Sequence, residues 1–591
     1  MTDPHSPLDL VRRYEPVLRY TAGELFFPMP VHDYLAHASL WMTLPQAKPV
    51  LVLDQGKLDA DRLAEAARER PDAALFLRFA PASLSRDALR AWRKRPDRPN
   101  FHGVSRLAAV GLLGRFIDTL MRLSLTVRGK VPGGLTAASQ QQYARISPPR
   151  DAYHAHVSSD GGYVVIQYWF LYAMNDWRSS FSGVNDHEAD WEQVTIYLAP
   201  DATGNLAPAW IAFSSHDETG DELRRRPDDP DITWIGTHPV VNAGAGSHSG
   251  AYLPGDYLVR VQPPAIAKVF SAVTAIRSML LPWTRGRPQL GLGIPYVDYR
   301  RGDGVTIGPG TARPWTPIFI DSNTPWVRDF RGLWGLDTAD PFGGERAPAG
   351  PRYERSGAIR ESWADPVGWA GLDKVPPTET STRIAEAGRI AELDELIAGY
   401  DAQIAAGQDR LRRASTGLEV LPPTVTSVKR EGVSARLAAD ESEVAAIRMR
   451  RREAVNERDQ LRQVPAASVH PEPHAHLRHR AVPDTTTPAG LVLRFWAGAS
   501  LSILLILLGL SLLFEVGPLV WTTIAAVLIV MGIEAVLRRH VLSFLFGVVI
   551  VGGTAVLIWL LITHLRVALG VTALVAAVAI GVANLRTLAR R

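Results

Sequence analysis

The chain has 591 residues, too long for a single hydrophobic core, so several domains are expected. Its 64 Lys and Arg stand against 60 Asp and Glu, a net charge of +4 that gives no reason to expect a nucleic-acid partner. Cysteine is absent, which excludes disulfides, thiolate metal sites and cysteine nucleophiles and leaves any metal to His and carboxylate.

In chain order, the opening MTDPHSPLDLVRRYEP has no charged-then-apolar signal pattern. Residues 1–375 read as a globular head, because period-two apolar runs such as YVVIQYWFLYA, WEQVTIYLA, PAWIAFSS and DYLVRV are bounded by Gly, Pro, Asn and Asp. That spacing predicts an antiparallel β-sandwich decorated by helices, and with it a mainly β chain. One helix is predicted over 105–127, where Arg115, Asp118 and Arg122 form a polar stripe at helical spacing. Its expected fate is to pack on the sandwich, and lying on a membrane surface is the alternative.

The stretch NDHEADWEQVTIYL, residues 185–198, carries the candidate chemistry. Strand side chains alternate, so Asp190 and Glu192 share a face with Val194, Ile196 and Leu198. Two carboxylates at the mouth of an apolar face repel each other unless something positive sits between them. His187 lies within a loop's reach, Asp186 and Glu188 flank it, and Asp176 stands upstream in YAMNDW. Neutral imidazole with carboxylates makes an oxygen-rich site for Mg²⁺, Mn²⁺, Ca²⁺ or Zn²⁺, so Asp176, His187, Asp190 and Glu192 are the candidate metal ligands. The competing reading is a half-buried strand whose acids are bridged by Arg178, Arg224, Arg225 or Arg226. Beside this stretch, His216 in WIAFSSHDETG, His238 and His248 in THPVVNAGAGSHSGAYLPGDY, and Asp186 are candidates for ligand contact or acid–base work.

Residues 379–464 differ in character. Ile390, Leu393, Ile397, Tyr400, Ile404, Gly407, Leu411, Ala414 and Leu418 step by three and four, LPPTV stops the helix, and a second series runs from Val433 to Leu461. The pattern predicts an antiparallel coiled-coil hairpin, roughly 50 Å long at 1.5 Å per residue. Asp440, Arg451 and Arg458 interrupt the second seam, so self-association or a protein partner through this arm is an alternative to a closed hairpin. Residues 465–488 read as a solvated His- and Pro-containing linker, with His470, His474, His476 and His479.

Residues 489–591 are almost continuously apolar and read as four transmembrane helices, at 491–513, 518–537, 541–563 and 567–585. Arg478, Arg480 and Arg494 precede the first, Arg538 and Arg539 separate the second and third, and Arg586, Arg590 and Arg591 close the chain. Basic loops stay in the cytoplasm, so a multi-pass cell-membrane protein with both termini and the head cytoplasmic is expected. Within the spans Arg494 and Glu534 are nearly alone as ionisable residues, which favours an anchor over a transporter.

The run YWFLYAMNDW to NDHEADWEQVTIYL, then SSHDETG and HPVVNAGAGSHSGAYLPG, resembles the vacuolar-protein-sorting-sixty-two family. YEPVLRYTAGELFFPMPVHDYL, LWGLDTADPFGGERAPAGPRY and WADPVGWAGLDK are similar to it too, so the resemblance spans most of residues 10–375. More distantly, DHEADWEQVTIYL is similar to the heptapeptide motif of necrosis and ethylene-inducing-peptide-like toxins, β-sandwiches that hold a divalent cation. That resemblance implies metal contacts at His187, Asp190 and Glu192, with Asp176 upstream; Asp186, Glu188 and Ala189 depart from the toxin pattern.

Three functions follow as expectations: a membrane-anchored head that binds a divalent cation and through it an anionic ligand or partner; a metal-dependent hydrolase of phosphoesters, lipids or glycans at the same site; and a scaffold acting through the coiled arm. Binding ranks first because no complete nucleophile–base set is evident by spacing.

Overall fold

A computed structural model describes residues 6–94, 106–112, 114–120, 134–146, 150–176, 186–201, 203–215, 220–261, 294–336, 347–420, 422, 427–463, 488–515 and 517–588. The chain divides into two units, one of residues 1–101, 130–257 and 298–481, the other of 102–129, 258–297 and 482–591.

The strands of the head that frame the site are β1 (Val17–Arg19), β2 (Ser39–Thr43), β3 (Val50–Leu53), β4 (Ala74–Arg78), β5 (Ala152–Asp160), β6 (Tyr163–Asn175), β7 (His187–Pro200), β8 (Leu206–Phe213), β9 (Thr233–Ile235), β10 (His238–Ala243), β11 (Gly250–Ala251), β12 (Ile294–Arg300), β13 (Thr306–Ile307) and β14 (Thr316–Phe319). One sheet has the order β14-β5-β6-β7-β8; a second has β11-β10-β1-β13, with β9 on β10; a third is β3-β2-β4. Helix α1 (Ala60–Glu69) follows β3, capped by the Asp59 carboxylate on the Arg62 N–H and burying Leu63, Ala64, Ala66 and Ala67.

The long strand β6 explains why YWFLYA is apolar without alternation. Its even residues Tyr168, Phe170 and Tyr172 join Val194, Ile196 and Leu198 of β7, Leu18, Val241 and Ala243 of the second sheet, and Tyr20 just past β1, in one core. Its odd residues Trp169, Leu171 and Ala173 join Trp191, Leu40, Leu77, Trp326 and Trp334 in another. A sheet covered on both faces selects apolar residues at both parities. Each fully buried aromatic or aliphatic side chain there contributes about 1.5–3 kcal/mol.

Helices α2 (Glu379–Glu419) and α3 (Ser427–Gln463) run antiparallel, since Arg389 meets Glu457, Asp394 meets Arg458 and Arg462, Asp401 meets Arg451, and Arg410 meets Glu443. Leu393, Ile397 and Ala454 form their buried seam, and Gly407 is required beside Val444, whose Cγ2 would be struck by any added Cβ. Arg451 and Arg458, expected as interruptions of that seam, reach across it to carboxylates instead. The linker histidines lie outside the described residues.

In the second unit are α4 (Pro488–Leu513), α5 (Leu519–Leu537), α6 (Val541–Thr563) and α7 (Leu565–Leu588). Three helical stretches, Gly490–Leu513, Leu519–Leu537 and Val541–Trp559, are long and apolar enough to cross a membrane; the apolar part of α7, Leu569–Val582, is shorter. Outward-facing Phe495, Trp521 and Leu542 have no place in water, and this is a membrane protein.

Three expectations are corrected. The chain is not mainly β: 50% is helical and 21% strand. The two helices of 41 and 37 residues, with the apolar helices after them, outweigh strands of at most 14. In place of a plain antiparallel sandwich, the head's sheets include parallel neighbours, β1 on β10 and β14 on β5, and a separate three-stranded module. The segment predicted as a helix over 105–127 is described at Arg106–Ala109 and at helical residues 112 and 114–120; it belongs to the second unit, not to the head's cores.

Candidate functional site

In the antiparallel register of β6 and β7, Tyr172 faces Asp190 and Phe170 faces Glu192, so both carboxylates sit on the face turned to the second sheet. Opposite them runs the loop 244–249 between β10 and β11. A buried polar network shapes it: Ser247 Oγ and Ser249 Oγ donate to the two oxygens of Asp298 at 2.7 and 2.8 Å, and Arg300 Nε donates to Asp298 at 2.8 Å. Arg300 also donates to Ser215 Oγ, Ser249 Oγ and the Gly250 carbonyl, each at 2.9 Å. Gly244 is required there, because a Cβ would strike Ser247 Oγ and the Asp298 carboxylate.

This loop delivers His248, held at φ 56°, to the carboxylate face. Its Nδ1 lies 2.9 Å from Asp190 Oδ2, its ring stacks on Tyr172 with centroids 3.7 Å apart and planes 6° from parallel, and its Nε2 faces Glu24 Oε1 at 3.7 Å. Glu24 is fixed by backbone N–H donors, Leu25 at 2.7 Å and Phe26 at 3.1 Å on Oε1 and Gly246 at 2.8 Å on Oε2. The Tyr172 hydroxyl meets that of Tyr20 at 2.8 Å. Burial by itself would lower the His248 pKa, but its hydrogen bonds and charge interactions with Asp190 and Glu24 outweigh burial and raise it to about 9. The positive group beside Asp190 is therefore an imidazolium, 58 residues away in sequence, and among the described residues its carboxylate partners are Asp190 and Glu24, not Glu192.

The remaining candidates are placed as follows. His187 is buried, and its Nδ1 donates to the Ala189 carbonyl at 2.8 Å, which leaves the lone pair on Nε2. Ala189, at φ 58°, bends the strand between His187 and Asp190. Glu192 accepts from the Ser214 hydroxyl. The backbone N–H of Asp176 donates to the Gly246 carbonyl at 2.9 Å, tying the end of β6 to the loop. Asp186 is buried near Thr136 Oγ1, at 3.5 Å. His238 sits at the far end of β10, its Nδ1 donating to the Glu15 carbonyl at 3.0 Å. His216 and Arg178 lie outside the described residues. Arg224 donates to the Ala370 and Gly371 carbonyls, and Arg225 lies 3.8 Å from Asp229. Among the described residues, no group of three or more His, Asp or Glu side chains is arranged to hold a metal ion.

Glu188, noted in the sequence only as a neighbour, points into the other core and accepts backbone N–H groups of Ala80 at 2.7 Å, Leu336 at 3.0 Å and Phe79 at 3.2 Å. Burial outweighs those donors and raises its pKa to about 7. Sequence reasoning also missed Glu24, Tyr172, Asp298 and Arg300. The opposite charges two apart in VDYRR, on one strand face, were the available signal for the last pair.

No protein-family model and no curated protein matches the chain. Among solved structures, NLPPya in complex with glucosamine is similar at 17% identity and a TM-score of 0.13, over 17% of this chain and 44% of that one. The chain thus spans less than half the length of that structure.

Proposed function

We propose that this chain is a membrane-anchored binding protein, with α4 to α7 as four spans, both chain ends and the head on the cytoplasmic side, and the head engaging a ligand or protein partner. The arginines Arg538 and Arg539 between α5 and α6 support that orientation. The observation that carries binding over hydrolysis is His248. An imidazolium with a carboxylate at each ring nitrogen stays protonated at neutral pH, and its Nε2 faces Glu24 rather than a hydroxyl, so it is a poor general base. The segments similar to the vacuolar-protein-sorting-sixty-two family support a head of that kind without assigning it a reaction. The helix pair α2–α3 supplies a second surface for a protein partner or another copy.

The test is turnover by the full chain in lipid nanodiscs on phosphoester, acyl-ester and glycoside substrates. No turnover that depends on His248 is expected; a rate lost in His248→Ala but retained by the refolded parent would replace binding with catalysis. Reporter fusions at both ends that read as non-cytoplasmic would reverse the orientation.

A divalent cation that draws His187, Asp190 and Glu192 together on binding, since they are not arranged as a metal site among the described residues, and brings an anionic ligand with it, is the second reading. The His187 tautomer favours it, since a ring N–H given to a carbonyl leaves Nε2 as a donor to metal. Elemental analysis of the purified full chain beside His187→Ala decides it: one ion per chain, lost in the variant, supports the reading, and equal metal content in both sinks it.

A further inference from the structure

We propose that the helical segment around residues 106–120, far from the carboxy-terminal helices in sequence, is a lipid-facing element of the membrane unit. The proposal rests on α4 to α6 lying in a bilayer but not on their orientation or on any ligand.

The first observation is that this segment is inside out. Arg115 and Asp118 are 1% and 2% exposed, whereas Phe116 and Leu120 are 49% and 44% exposed. A helix on a water-soluble core turns its apolar stripe inward and its charges to solvent. In hydrocarbon the order inverts, because charge is tolerated only in the interior of the bundle and apolar side chains meet acyl chains.

The second observation is where the charges go. Arg115 donates to Ser500 Oγ of α4 at 2.6 Å and to the carboxylate of Glu534 in α5. Glu534 also accepts from Arg538 Nε at 2.7 Å. Arg538 then donates to the carbonyls of Ala108 at 2.7 Å and Val110 at 2.9 Å, at the end of the short helix Arg106–Ala109. Carbonyls at a helix end have no intrahelical partner, and without water each would be costly to leave open. The segment is thus held by charge and backbone satisfaction, the contacts suited to a medium in which apolar surfaces gain nothing by meeting one another. Its Phe116 and Leu120 face outward as Leu545 of α6 does, at 52% exposed. Lipid acyl chains are the occupant that fits.

The absence of cysteine makes the test clean. Nitroxide spin labels on Phe116→Cys and Leu120→Cys in the full chain, reconstituted into phosphatidylcholine vesicles, are compared with Leu545→Cys on α6 and Leu51→Cys on β3 for collision with oxygen and with a water-soluble nickel chelate. We expect oxygen-rich, nickel-poor collisions at 116 and 120 that match position 545 and differ from position 51. Nickel access at 116 and 120 equal to that at 51, with 545 still nickel-poor, would overturn the proposal while leaving the membrane helices in place. Loss of both collisions at 116 and 120 would also overturn it, by placing protein over these side chains. Nickel access at 545 as well would overturn it through the membrane reading on which it rests.

Discussion

The head and the membrane unit each bury a contact of opposite charges, and the two are mirror images in sign. In the head one cation, His248, stands between two carboxylates, Asp190 and Glu24. In the membrane unit one carboxylate, Glu534, stands between two guanidiniums, Arg115 and Arg538. In both, backbone groups add to the side-chain pairing: the Glu24 carboxylate accepts from the N–H groups of Leu25, Phe26 and Gly246, and the Arg538 guanidinium donates to the carbonyls of Ala108 and Val110. The lesson is that a buried carboxylate gathers peptide N–H groups and a buried guanidinium gathers peptide carbonyls. The clusters differ in one property: imidazole can lose its proton in the accessible pH range and guanidinium cannot.

That comparison is broken most severely at Glu534. Glu534→Ala leaves two guanidiniums facing each other, and the expected loss is about 3–5 kcal/mol, read as a fall in the unfolding midpoint of the detergent-solubilised full chain. An unchanged midpoint would mean the cluster is not buried. Next is pH dependence in the head. The His248 pKa rises from 6.5 to about 9 on folding, so its contribution is complete below pH 6.5 and is lost as pH rises through 9, up to about 3 kcal/mol in all. Glu188 gives the same sign in a lower window: raised from 4.5 to about 7, it costs nothing below pH 4.5 and progressively more up to pH 7. Denaturant midpoints measured across pH should therefore fall in two steps, the upper removed by His248→Gln and the lower by Glu188→Gln; one step, or steps removed by the wrong variant, would refute the assignment. The smallest effect is expected at Arg451→Ala: the exposed pair with Asp401 is screened by solvent, so helix melting followed by circular dichroism should shift little if at all, and a large fall would mean the pair is shielded from water.

What was legible in the sequence was local. The alternation that puts Val194, Ile196 and Leu198 on one face, the step of three and four through Leu393 and Ile397, and the apolar runs after residue 489 all depend on neighbours a few residues apart. The fold class was misjudged because strand-like runs in the head are numerous but short, while the helices after it are few and long. The site was half legible. Asp190 and Glu192 announce a need for positive charge, but a nearby metal is the answer that local spacing suggests. The imidazolium that meets Asp190 depends on a left-handed His248, on the Asp298–Arg300 network beneath its loop and on Glu24, bonded to Gly246 across 222 residues. Periodicity carries no information at that range. The inside-out helix was visible as a stripe of Arg115 and Asp118, but the stripe alone does not say which medium lies on its apolar side.

The bond from Arg115 to Glu534 also sets a timetable for synthesis. The two residues are 419 positions apart, so at roughly 5–20 residues per second the ribosome adds Glu534 about 20–80 s after Arg115. Through that interval Arg115 lacks the carboxylate it meets in the folded protein, and Phe116 and Leu120 are already made. The membrane unit therefore cannot complete this contact until α5 is made.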